Sequence, residues 1–159
     1  MTMQESPRKR GLSAFRSPPL HPHPQFMHHR TVVWAAALIF LAVAAGAFGA
    51  HGLRAQLSTE AMVQWRTAVE YQFYHGLGML LLVALSIPLP SIPVKGIARL
   101  FLVGVALFSG SIYLLSTRGL TGWEWAGPFL GPITPIGGLL LMGGWAWLFL
   151  AALQRTDHR

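Results

Sequence analysis

The sequence predicts an all-α integral membrane protein, a four-helix bundle of up-and-down topology with both termini in the cytoplasm. Three observations carry that expectation. Of 159 residues, 53% are hydrophobic and only 11% charged, less than half the charged fraction of about 25% found in water-soluble domains. Four apolar runs follow Arg30, each near the ~20 residues an α-helix needs to cross ~30 Å of hydrocarbon. None alternates polar and apolar residues as the wall of a transmembrane barrel must. The absence of cysteine further excludes disulfide-stapled modules, thiolate metal sites and cysteine nucleophiles.

Taken in order, residues 1–30 read as a disordered basic cytoplasmic tail. They combine Arg8, Lys9, Arg10, Arg16 and Arg30 with Pro7, Pro18, Pro19, Pro22 and Pro24, too little apolar surface to offset chain entropy. The His-Pro-His-Pro run at 21–24 and the pair His28–His29 are read as solvated low-complexity sequence, because a metal site needs fixed geometry. The membrane domain covers 31–153. Its first span, 31–50, follows a basic segment and contains Ala45-Gly46-Ala47. That run is longer than a signal-peptide core, so an uncleaved signal-anchor is expected. Next, Ser58 suits an N-cap, Glu60 a helix start, and Met62, Trp65 and Val69 form a stripe at helical spacing. The segment Ser58–Thr67 therefore either lies along the outer surface or extends the second span, 68–87. Pro88, Pro90 and Pro93 end that span. The third covers 97–117. Gly127-Pro128 and Gly131-Pro132 precede the fourth, 134–153, for which Thr134 reads as N-cap and Pro135 as first helical residue. Residues 154–159 form a short cytoplasmic tail.

Orientation follows from the basic residues. Arg8, Lys9, Arg10, Arg16, Arg30, Lys95, Arg99, Arg155 and Arg159 fall on the side of the termini, against Arg54, Arg66 and Arg118 on the other. The positive-inside rule places the richer side in the cytoplasm. The net charge of +7 is accounted for by a basic tail beside anionic lipid, and no nucleic-acid-binding pattern accompanies it. Trp65, Trp123 and Trp125 suit an interfacial belt.

With that orientation the polar residues gather at one depth. His51 lies at the outer end of helix 1. Glu70, Tyr71, Gln72, Tyr74 and His75 occupy the outer part of helix 2, Ser109, Ser111, Tyr113 and Ser116 that of helix 3, and Thr134 caps helix 4. Polar groups in lipid are costly unless they pair, so they are expected to turn inward as one cluster in the outer half of the bilayer. Tyr71, Gln72 and His75 share a helix face, and Arg66 and Glu70 stand at ion-pair spacing. The preferred reading is that these groups fasten the helices together. A proton or ligand pathway and a metal site at His51, Glu70 and His75 are its rivals. The metal reading is weakened by an incomplete donor set and the lack of His-Glu-x-x-His spacing. No metal, cofactor or catalytic residue is expected.

Small residues recur at helix-packing intervals: Ala42, Gly46 and Ala50, then Ala45 and Gly49, Ala106 and Gly110, Gly137 and Gly144. Such stripes let helix backbones approach closely in lipid. A glycine-rich nucleotide loop is excluded, since no strand precedes these glycines and no Lys-Ser or Lys-Thr follows them.

The stretches 46–53 (GAFGAHGL), 71–75 (YQFYH), 108–113 (FSGSIY) and 133–138 (ITPIGG) resemble, in order and spacing, the YgdD/YwdK family of small bacterial membrane proteins, domain of unknown function 423, which includes the eukaryotic transmembrane protein 256. The resemblance covers about residues 32–153. It implies a four-helix protein of the bacterial cytoplasmic (inner) membrane and supplies no assigned activity and no catalytic residue. Only a candidate site is carried over, at His51, Tyr71, Gln72, Tyr74, His75, Ser109, Ser111, Tyr113, Thr134 and Pro135. The long basic tail has no counterpart in the compact family pattern.

The function expected is therefore a non-enzymatic membrane component or accessory subunit in contact with the lipid bilayer and with a membrane-protein partner or further copies of itself. The alternative is a small oligomeric permease or proton-coupled carrier. An intramembrane enzyme ranks third, for want of a Ser/His/Asp set or complete metal triad. The orientation is checked with Ser13→Cys and Thr121→Cys variants in intact cells. A membrane-impermeant thiol reagent should label position 121 and spare position 13, and the reverse pattern overturns the topology.

Overall fold

The computed structural model describes residues 28–154, so the expectations for the tail at 1–27, including the His-Pro-His-Pro run, and for 155–159 lie outside the described residues. Four helices make up nearly all of it: α1 (His29–Phe48), α2 (Thr59–Leu85), α3 (Val94–Thr121) and α4 (Gly127–Leu153). All are long and apolar enough to cross a membrane. At 1.5 Å per residue, the 27 residues of α2 extend about 40 Å, which spans the hydrocarbon and reaches the headgroup layers. Consecutive helices run up and down. The central pair is α2 and α3, with α1 packed on α2 and α4 on α3, so the flanking helices keep most of their surface turned outward.

The helix ends differ from the sequence expectation in ways that local chemistry explains. Helix α2 starts at Thr59, which settles the choice for the segment 58–67 in favour of extension. The Ser58 hydroxyl accepts from the Ala61 N–H at 3.1 Å, and Glu60 sits in the first turn, favourable to the helix dipole. Helix α1 does not stop at Phe48 but widens into a π-turn over Gly49–Leu53. Helix α3 begins directly after Pro93 and runs to Thr121, where Gly122 adopts φ 70° and closes it. That left-handed residue costs glycine nothing.

The largest correction concerns α4. Its start is not Thr134 but Gly127, after a short 3-10 turn over Glu124–Ala126, and Pro132 and Pro135 lie inside the helix. Pro128 occupies the first turn, where a missing N–H is harmless. Interior prolines each remove a helical hydrogen bond, and transmembrane helices tolerate this when side-chain hydroxyls and neighbouring helices supply other partners. Here Thr134, between the two prolines, binds across to Ser111 at 2.7 Å.

Two apolar cores occupy opposite ends of the bundle. Near the end that carries the termini, Met79, Leu82, Ile97, Phe101, Val105 and Leu141 pack together with Ala35. Near the other end, Leu53, Met62 and Trp65 form a smaller core against Val69 and Tyr113. Trp65, expected as an interfacial residue, is instead buried there, whereas Trp123 and Trp125 are exposed.

The small-residue stripes divide similarly. Gly49 faces the Trp65 indole, and Gly144 faces the Phe101 ring. The tightest approach is between α3 and α4, where a Cβ on Gly137 would lie 2.8 Å from the Phe108 Cα and 2.9 Å from the Leu107 carbonyl carbon. Backbone cannot move aside as a side chain can. Ala106 and Gly110, expected at a helix contact, are not: Ala106 is exposed and nothing lies within 4 Å of a Cβ on Gly110. Their place is taken by Gly104, which faces Leu141 and the Gly137 carbonyl.

Gly137→Ala should accordingly lower unfolding stability in detergent by about 1–3 kcal/mol, the usual cost of overpacking. Gly110→Ala should leave it unchanged or raise it slightly. Equal stability of the two variants would contradict the close crossing.

Candidate functional site

Between the two apolar cores lies a layer of buried polar side chains. Gln72 stands about 20 Å along α2 from Thr59, the middle of the helix. Extension of α2 to Thr59 therefore sets this layer deeper along the helix than a cluster just under the headgroups. Gln72 is only 6% exposed and joins three helices. Its Nε2 donates to the Leu38 carbonyl of α1 at 2.9 Å, and its Oε1 accepts from the Tyr113 hydroxyl of α3 at 3.0 Å. A carbonyl oxygen can only accept, so the amide orientation is determined by its partners.

His75, one turn further along and equally buried, is constrained in the same manner. Nδ1 lies 2.7 Å from the Tyr71 carbonyl, and Nε2 lies 3.1 Å from the Trp145 indole nitrogen of α4. The Tyr71 carbonyl is an acceptor and the Trp145 N–H a donor only, which assigns the proton to Nδ1 and leaves Nε2 as a bare acceptor. The imidazole is thus neutral with both nitrogens engaged. The Phe101 ring meets it edge-on at 5.1 Å.

Two further pairs complete the layer. The Ser111 hydroxyl donates to the Phe108 carbonyl at 3.0 Å, so in its 2.7 Å hydrogen bond with Thr134, between α3 and α4, it accepts from the Thr134 hydroxyl. Nearer the far end, the Trp65 indole donates to the Ala45 carbonyl at 3.0 Å, tying α2 to α1, and its ring lies 4.6 Å from that of Tyr113. Ser116 turns back to its own helix, donating to the Tyr113 carbonyl at 3.1 Å. Ser109 is buried with a hydroxyl that has no partner, and nothing in the structure explains it.

The candidate residues therefore separate into two sets. Gln72, His75, Ser111, Tyr113 and Thr134 converge, with Ser109 buried beside them. Tyr71 contributes its carbonyl and stacks on His75 and Phe108 while its side chain stays partly exposed. His51, Glu70 and Tyr74 do not join: all three point outward. His51 lies in the π-turn that ends α1; for Glu70 and Tyr74 the reason is helical phase. On α2 the inward face is set by Trp65, Ala68, Gln72, His75 and Met79, and residues 66, 70 and 74 fall on the opposite face. No ion pair within 4.0 Å links Arg66 to Glu70. Both border a small crevice of about 150 Å³ with Gly46, Gly49 and Ala50. Among the described residues no three His, Asp or Glu side chains gather as a metal site would require.

Two participants escaped the sequence reading. Trp145 carries one of the few side-chain donors in α4, and that scarcity was the available signal. The Leu38 carbonyl had none, since a backbone acceptor leaves no mark in residue identity.

A double-mutant cycle of Gln72→Leu and Tyr113→Phe should give a coupling energy of about 0.6–1.7 kcal/mol in detergent unfolding, the range for interhelical bonds in membranes. Strict additivity would mean that the bond contributes nothing.

The sequence has identifiable relatives. A family model described as a protein of unknown function, DUF423, matches residues 45–138. A UPF0382 membrane protein of Staphylococcus haemolyticus is 40% identical over 123 residues, covering 77% of this chain and 94% of the relative. One from Staphylococcus epidermidis is 42% identical over the same shares. The UPF0382 membrane protein YwdK of Bacillus subtilis is 36% identical over 124 residues, 77% of this chain and 95% of its own. No solved structure matches. With four membrane-length helices, a family model that spans α2 and α3 entire and relatives matched almost end to end, the chain belongs to the DUF423 family of membrane proteins.

Proposed function

We propose that this protein is a non-enzymatic, multi-pass component of the bacterial cytoplasmic membrane that works as an assembly of identical copies, its termini facing the cytoplasm. The observation that carries this reading is the outward row Arg66, Glu70 and Tyr74 on α2. Charged side chains facing hydrocarbon are costly and normally find a partner. Within one copy Arg66 and Glu70 do not pair. A second copy related by a twofold axis along the membrane normal sets the same row against itself. Each guanidinium then reaches the other copy's carboxylate, and both ion pairs form at once. The crevice at Gly46, Gly49 and Ala50 beside the row offers the close backbone approach that helix association in lipid requires.

The interior supports a structural role over a transport one. Its buried polar groups are engaged chiefly in bonds from helix to helix, and both nitrogens of His75 are occupied. A proton relay through His75 would have to break the Trp145 bond, because a protonated Nε2 would face another donor.

The test is the copy number of tagged protein in native-membrane nanodiscs, read by stepwise photobleaching. Wild type should be dimeric or larger. Like-charge juxtaposition costs several kcal/mol, so Arg66→Glu or Glu70→Arg alone should weaken association on the order of 100-fold, and the combined charge swap should restore it. A monomeric wild type, or single variants that assemble normally, overturns the reading.

A further inference from the structure

At the end of the bundle that carries the termini, a cleft of about 650 Å³ opens between α1 and α3. It is several times roomier than the crevice of about 150 Å³ beside Gly46. Arg30 from α1 and Lys95 and Arg99 from α3 stand around it, and its apolar lining comes from Trp34, Met79 and Leu102. Among the described residues no acidic side chain borders it. Nor does any of the three cations form an ion pair within 4.0 Å among the described residues. Three positive groups held together without a counter-charge repel one another unless an anion lies between them.

The helix ends add to this field. Both α1 and α3 begin at the cleft, at His29 and Val94, and neither has a side-chain cap or an acidic residue in its first turn. By contrast α2, which begins at the other end, has both in Ser58 and Glu60. Uncapped amide N–H groups carry partial positive charge and favour an anion. His28, just before α1, has an Nδ1 that is buried with no partner. Its pKa is held below the ordinary histidine value by burial and then by the charge of Lys95, as expected where positive potential is already high.

We propose that this cleft binds the headgroup of an anionic glycerophospholipid from the adjoining leaflet. The phosphodiester sits among Arg30, Lys95 and Arg99, and the upper acyl carbons lie against Trp34, Met79 and Leu102. Charge complementarity selects an anion, and the apolar floor selects a lipid over a free anion. Basic pockets between transmembrane helices near the membrane surface take anionic headgroups in this manner. The site is independent of the α2 row and of the assembly it supports.

Full-length protein is released from detergent into native mass spectrometry after titration with phosphatidylglycerol, phosphatidylcholine or inorganic phosphate. Phosphatidylglycerol should be retained in preference to phosphatidylcholine. A basic side chain near an anionic headgroup is worth a factor of about five, so the triple variant Arg30→Gln, Lys95→Gln, Arg99→Gln should weaken retention on the order of 100-fold. Arg54→Gln with Arg118→Gln, which removes charge at the opposite end, should leave it unchanged. Helicity by circular dichroism checks that each variant is folded. As a measurement free of charge variants, a phosphatidylglycerol brominated on its acyl chains should quench wild-type tryptophan fluorescence more than that of Trp34→Phe. Equal retention of the two lipids, an unchanged triple variant, absence of the Trp34 quenching difference, or displacement by millimolar phosphate each overturns the proposal, the last by showing a site for a soluble anion.

Discussion

In hydrocarbon, an apolar helix gains nothing by leaving lipid for another apolar helix, so specific packing must come from polar bonds and from close backbone contact. In this protein both are concentrated along α2 and α3. Gln72 is the residue on which most else depends, because one amide engages the backbone of α1 and the side chain of Tyr113 on α3. It fixes the rotation and depth of three helices relative to one another. The Gly137 crossing does the corresponding work for α4, where the backbones of two helices meet with no side chain between them.

The position of the polar layer follows from the same constraint. Apolar cores at the two ends of the bundle leave the middle of α2 as the place where Gln72 and His75 face inward. Each hydrogen-bonding atom of those two side chains is matched by a partner of complementary type. For His75 this determines the tautomer: an acceptor at one nitrogen and an indole donor at the other leave the imidazole neutral. Bonds of this kind from helix to helix hold α1, α2, α3 and α4 in register, with the Ser109 hydroxyl left unmatched beside them. Thr134 connects this layer to α4 and stands between the two interior prolines.

Outside the bundle core, the charges have a different logic. Those at the end of the termini line a cleft with no acid beside it among the described residues, and those on α2 form a row of both signs with no internal pair. The family match, over residues 45–138, takes in the α2 row and Gln72, His75, Ser111, Tyr113 and Thr134, whereas their partners Leu38 and Trp145 and the basic segment 1–30 lie outside it.

Much of this was legible in the sequence. Four spans, the helical class and the family could be read from composition, from runs of membrane length and from four short motifs, since the cost of exposing backbone or charge to lipid leaves few alternatives. Gln72, His75, Ser111, Tyr113 and Thr134 were identifiable as polar residues that had to find partners. What the sequence left open was which of the polar residues turn inward. His51, Glu70 and Tyr74 satisfy the same compositional criterion and point away; for Glu70 and Tyr74 this is because rotation of α2 about its axis is decided by packing against α1 and α3 and not by residue type. Helix ends were likewise misplaced at α4, where proline chemistry suggests a start at Thr134 but the helix begins at Gly127 and runs through Pro132 and Pro135. Residue identity sets the cost of each group in lipid. Tertiary structure chooses the partner that removes it, and when that partner is a backbone carbonyl such as Leu38, no side chain announces it.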